Sequence, residues 1–166
     1  MAHIKYGIVN RDGFQGQVLS VAASQYFRHN GINLVYLDSN GRVTLALTAT
    51  ATLYGFAEAP AGRGAGASGD YWLSSATAGA DEIVVYPFSL NPNMQLLLPA
   101  DATVTAAMRG NSCDIIAVND GTATTVDVGT SSTKVLIIVG LGTDFKKDAV
   151  ATDVVVMINP AKIQAD

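Results

Sequence analysis

Asn111-Ser-Cys-Asp-Ile-Ile-Ala-Val-Asn-Asp-Gly-Thr-Ala-Thr-Thr-Val-Asp-Val-Gly-Thr-Ser-Ser-Thr-Lys-Val-Leu-Ile-Ile-Val139 is the stretch that decides the fold class of this 166-residue chain. It parses as three strand-like runs joined by two turns. Ile115 to Val118 is apolar, Asp120-Gly121 has the composition of a hairpin turn, and Thr124 to Val128 puts Thr124, Val126 and Val128 on one face with Thr125 and Asp127 opposite. After Gly129-Thr-Ser-Ser-Thr133, the run Val135-Leu-Ile-Ile-Val139 is apolar at every position, which predicts a strand covered on both faces in the middle of a core.

The same signals recur upstream and downstream. Asn33 to Leu37 and Arg42 to Leu47 flank Asp38-Ser-Asn-Gly41, a turn sequence suited to a tight hairpin, with Val43, Leu45 and Leu47 predicted on one face and Arg42, Thr44 and Ala46 on the other. The alternating Thr and Ala run from Thr48 to Phe56 reads as a continuing strand. Glu82 to Tyr86 predicts a strand stopped by Pro87, which lacks the amide hydrogen a ladder needs, and Met94 to Leu98 and Asp153 to Ile158 predict two more. Gln17 to Arg28 spaces Val18, Val21, Ala22 and Gln25 as a helix would, yet its β-branched and aromatic residues fit a strand equally. Short strands broken by Gly, Asn, Asp and Pro, without alternating helices, predict an all-β fold: a compact antiparallel sandwich or barrel. Length fits one domain, with an N-terminal arm and first element over 1–31 and the β-domain over 32–166.

One segment breaks this rhythm. Ala57 to Ala80 contains Ala59-Pro-Ala-Gly-Arg-Gly-Ala-Gly-Ala-Ser-Gly69, too rich in small residues to form a core, followed by Tyr71-Trp72-Leu73. Loops beyond about 12–15 residues are uncommon in compact domains unless they serve a function. The segment therefore reads as a mobile projection anchored at one end by Tyr71 and Trp72.

Composition bounds the function classes. Charged residues make up only 14% of the chain, against about 25% in an ordinary soluble domain, so part of the surface is expected to lie against neighbours. A net charge of −4 argues against nucleic-acid binding, which needs clustered Lys and Arg. No apolar run approaches the roughly 20 residues of a spanning helix, and no membrane association is expected. The single cysteine, Cys113, has no partner for a disulfide and reads as a small buried residue at a strand start. The start, Met1-Ala-His-Ile-Lys-Tyr6, lacks the apolar run of a secretory signal, so a protein made and used in the cytosol is expected.

Chemical motifs are weak throughout. Gly64-Ala-Gly66-Ala-Ser-Gly69 has the letters of a dinucleotide fingerprint, but Pro60 and Gly62 part it from the preceding strand and no helix former follows. His3 and His29 have no second ligand at metal spacing, and Asp38-Ser-Asn-Gly41 and Asn119-Asp-Gly121 lack the closing glutamate of a calcium loop. Ser68 does not sit in a nucleophile elbow, and Asp81-Glu82 would point to opposite faces of a strand. No catalytic, cofactor or metal site is predicted, and the chain is not expected to be an enzyme.

Taken together, Asp81-Glu-Ile-Val-Val-Tyr-Pro-Phe88, Leu98-Pro99, Gly110-Asn-Ser-Cys-Asp-Ile115, Asp120-Gly121, Thr125-Val-Asp-Val128, Ser131-Ser-Thr133 and Val135 to Val139 resemble the head decoration, or capsid cement, proteins of tailed bacteriophages. Gly41-Arg-Val-Thr-Leu-Ala46 and Leu53-Tyr-Gly-Phe-Ala57 sit where that family carries a hairpin and a Gly-containing strand. The likeness spans about residues 32–160, while the Gly/Ala loop has no counterpart. It implies a structural virion protein on the outer capsid surface, made in a bacterial cytoplasm, commonly trimeric, and partnered with major capsid subunits. Candidate contact residues are His3, Ile4 and Tyr6 of the arm and Arg63, Tyr71 and Trp72 of the loop. The alternative is a β-sandwich glycan- or receptor-binding module of a virion fibre, in which Tyr71 and Trp72 would stack on a sugar rather than anchor the loop.

Overall fold

The computed structural model describes residues 6–9, 13–60, 69–129 and 131–165. Its strands are β1 (Gly7–Ile8), β2 (Gln17–Ser20), β3 (Tyr26–Arg28), β4 (Asn33–Leu37), β5 (Val43–Leu45), β6 (Gly55–Glu58), β7 (Tyr71–Leu73), β8 (Glu82–Pro87), β9 (Gln95–Pro99), β10 (Ser112–Ile116), β11 (Thr125–Asp127), β12 (Leu136–Leu141) and β13 (Asp153–Ile158). A single helical turn, α1 (Gly142–Phe145), and two 3-10 turns complete the described elements. The fold is all-β.

Three antiparallel sheets are stacked. The outer sheet runs β1-β9-β13-β12-β10-β11, the middle sheet β2-β8-β6-β4-β5, and a ribbon pairs β3 with β7. Alternation along the middle sheet sends neighbouring residues into different cores. Leu34 and Phe56 join Leu96, Leu98, Cys113, Ile115, Leu136 and Val156 against the outer sheet. Val35, Ala57, Ile83 and Val85 point the other way, onto Phe27 and Trp72 of the ribbon. Beyond β2, Val21 bridges Val43 of β5, and the Ala22 N–H donates to the Val43 carbonyl at 3.0 Å, so the middle sheet curls into a half-barrel around this second core. The C-terminal segment is fastened by Gln164, whose side chain both accepts from the Leu37 N–H and donates to the Leu37 carbonyl.

Several expectations are corrected. Gln17 to Arg28, which fitted a helix or a strand equally, forms two strands, because pairing with β8 and β7 outweighs helical spacing. The exposures decide it: Val18 is 63% exposed and Val21 1%, so the proposed helical stripe is no common face. Residues after Leu45 leave the ladder. Thr50 donates to the Leu47 carbonyl in a turn, which puts Leu47 outside the core and interrupts the strand expected over Thr48 to Phe56. β12 is an interior strand, between β10 and β13, yet its second face is only half-covered at Ile137 and Val139. Within the expected 57–80 projection, residues 57–58 belong to β6 and 71–73 form β7, both strands of the sheets.

Gly55 is required where β6 crosses β8. A Cβ there would lie 2.5 Å from the Tyr86 carbonyl oxygen and 2.9 Å from Val85 Cγ1, closer than real contacts allow. Gly55→Ala should therefore lower stability by about 1–3 kcal/mol in urea unfolding, whereas Gly7→Ala, with open space around its Cβ, should change it by less than about 0.5 kcal/mol.

Candidate functional site

Of the residues singled out by sequence, Tyr6, Tyr71 and Trp72 fall within the described chain, and His3, Ile4 and Arg63 lie outside it. Tyr6 is fixed rather than free. Its hydroxyl donates to Asp153 Oδ1 at 3.0 Å, and Asp153, buried, accepts the Val150 N–H on its other oxygen at 2.8 Å. Burial, the hydrogen bond to Asp153 and the carboxylate charge push the Tyr6 pKa up to about 12. The next residues, Gly7 and Ile8, pair with Leu97 and Leu96, so the chain after the arm is docked on an edge of the outer sheet.

Trp72 and Tyr71 take opposite sides of the ribbon. Trp72 is 5% exposed and stacks on Phe27, with ring centroids 5.7 Å apart. Its ring is enclosed and has no face for a sugar. Tyr71 lies 5.1 Å from the Tyr26 ring and covers Gly121, where a Cβ would come within 2.7 Å of its ring. Gly121 has φ +86, so the turn predicted at Asp120-Gly121 needs glycine both for backbone conformation and for this contact. The Arg28 guanidinium closes the same junction, donating to the Gly121 carbonyl at 2.6 Å.

The groups with chemical potential are engaged in holding the frame. Cys113 is buried, and burial, with the charges of Asp114 and Asp127, pushes its thiol up to about 12, which makes it a poor nucleophile. Asp114 accepts from the N–H of Ser132, Thr133 and Lys134 and from the Ser132 hydroxyl, at 2.6–3.1 Å. Burial alone would raise its pKa, but these hydrogen bonds outweigh it and hold the carboxyl at about 2. Asp120 and Asp38 each cap their own turns, Asp120 through the Thr122 N–H and hydroxyl, Asp38 through the N–H of Asn40 and Arg42. A cleft of about 250 Å³ is lined by Tyr6, Arg28, His29, Asn33, Phe56 and Glu58. Its amide, Asn33, is spent on Arg28 and Ala57 backbone. Among the described residues, no group of three or more His, Cys, Asp and Glu is placed to hold a metal ion.

Apolar side chains stand exposed on three faces instead. Val18 and Val84 are directly paired across β2 and β8, beside Glu58 and Glu82. Val9 and Phe145 flank a groove along β1. Leu47, Ile116 and Val118 make the third face, where Thr48 clamps Ala117: its N–H and hydroxyl donate to the Ala117 carbonyl, and its Oγ1 accepts the Ala117 N–H. Sequence reasoning missed these residues. Val18 was placed on a segment that fitted helix or strand equally, and Leu47 on one face of a strand with Val43 and Leu45, which are buried. No protein-family model, no curated protein and no solved structure matches the chain.

Asp114 gives a pH test. Its folded pKa lies below the ordinary 3.8, so the stability it contributes is present above that value and is lost as pH falls toward 2. The contribution is about 2 kcal/mol. Asp114→Asn should unfold more readily near neutral pH, and its stability should fall less than wild type's between pH 5 and pH 2, by about that amount in urea titrations.

Proposed function

We propose that this chain is a structural virion protein that binds the outer surface of an assembled tailed-phage head and stabilises it by bridging major capsid subunits. In this reading it is made in the bacterial cytoplasm, assembles with itself as a trimer, and carries out no catalytic step. The supporting observation is the division of labour among its side chains. Carboxylates and aromatics that might form a site are tied to turns and cores, while Val18, Val84, Leu47, Ile116 and Val118 face outward on an under-charged surface. Exposed apolar patches of this kind mark surfaces that meet other proteins.

Such a ligand stabilises a shell by mass action, because it binds the assembled state and not the separated subunits. Mixing the purified chain with expanded empty capsids should give saturable binding and a raised capsid melting temperature. No saturable binding together with unchanged melting would overturn the reading, and binding to a glycan array in its place would favour a receptor-binding module.

A further inference from the structure

Two Asn-Gly pairs stand in the tight connections on either side of β4, Asn30-Gly31 after β3 and Asn40-Gly41 before β5. Both asparagines are exposed to water. The backbone nitrogen that follows an asparagine can attack that residue's own side-chain carbonyl carbon, and glycine at the second position neither shields the nitrogen nor restricts the backbone. Access to this chemistry is therefore set by how firmly each turn holds its glycine N–H.

The two turns differ in that respect. Gly41, at φ +71, donates its N–H to the Asp38 carbonyl at 2.9 Å. Around it, Asp38 Oδ1 accepts the Asn40 N–H at 2.8 Å and the Arg42 N–H at 3.0 Å, and the Asp38 N–H donates to the Arg42 carbonyl at 2.9 Å. Attack on Asn40 requires the Gly41 bond to break and this network to open. At the other turn the Gly31 N–H makes no hydrogen bond of ordinary geometry among the described residues, and the Arg28 carbonyl across the turn receives Asn33 Nδ2 at 3.0 Å. Asn33 also accepts the Arg28 N–H at 2.8 Å, so the base of this loop is pinned while its Asn30-Gly31 tip has no such lock.

We propose that Asn30 is a site of spontaneous deamidation, and that the fold protects Asn40 from the same reaction. The Gly31 nitrogen gives up its proton and bonds to Asn30 Cγ, the Cγ–Nδ2 bond breaks, and ammonia leaves with that proton. Water then opens the resulting succinimide at either carbonyl, leaving an aspartate or an isoaspartate at position 30. Water is the only co-reactant. Each event adds one negative charge to a chain of net charge −4, on the loop whose Arg28, His29 and Gly31 line the cleft described above. The isoaspartate product also routes the main chain through an extra methylene between β3 and β4. The inference goes beyond the proposed capsid role and does not depend on it.

The test is incubation of the full chain in mildly alkaline buffer, followed by tandem mass spectrometry. Trypsin releases both pairs on one peptide, residues 29–42, so each asparagine is the other's internal standard. In the folded chain Asn30 should deamidate roughly tenfold faster than Asn40, the ratio expected from one hydrogen bond that must first be broken. In urea, with unfolding verified by Trp72 fluorescence, the two rates should become comparable. Asp38→Ala, which removes the acceptor of the Asn40 and Arg42 N–H groups, should raise the rate at Asn40 and leave that at Asn30 unchanged, while Asn30→Gln should remove the early product. Asn40 reacting as fast as Asn30 in the folded chain would overturn the proposal. So would a preference for Asn30 that persists in urea, since it would belong to the local sequence and not to the fold.

Discussion

Where β4 pairs with β6, the middle sheet is buried on both faces, and the rest of the molecule follows from that constraint. Strands with alternating side chains ordinarily present one face to a core and one to water. Here Leu34 and Phe56 enter one core while Val35 and Ala57 enter another, so the same backbone is sealed from solvent on both sides. Within that sheet β6 and β8 approach so closely at Gly55 that it cannot carry a side chain. Burial also demands that loops be closed from within, because buried backbone groups need partners. Asn33, Asp114, Asp153 and Gln164 supply those partners.

That use of polar side chains shapes what the surface can do. Carboxylates that cap loops and a thiol sealed in a core are poor candidates for chemistry, and their hydrogen bonds give them structural work. What faces outward includes valines, leucines and Ile116, on a chain with only 14% charged residues. The physical character of the surface therefore favours contact with other proteins, in keeping with the proposed place on a capsid.

The fold class was legible because strand and turn signals agree along most of the C-terminal half. The alternation from Thr124 to Val128 and the apolar run at Val135 each correspond to a strand, and Asp120-Gly121 lies in the connection between β10 and β11. Where reading failed, the deciding information was tertiary. Val18 and Val21 look equivalent on a helical wheel, yet only the β8 partner and the bridge to Val43 determine that one faces water and the other the core. Trp72 reads as an anchor from sequence, but its partner does not: only the pairing of β7 with β3 sets its ring on Phe27. The exposed faces were least legible, since an apolar residue in a strand gives no local sign of which side will be left uncovered.

The central physical claim is that one doubly covered sheet makes the two cores a single cooperative unit. The chain carries a natural probe in each: its only tryptophan, Trp72, reports the half-barrel core, and its only cysteine, Cys113, reports the core against the outer sheet. Equilibrium unfolding in urea, followed by Trp72 fluorescence and by Cys113 thiol reactivity on the same samples, measures the two together. Coincident transitions with one midpoint are predicted. Cys113 becoming reactive at denaturant concentrations where Trp72 is still native, or the reverse, would show two independent cores and contradict the account.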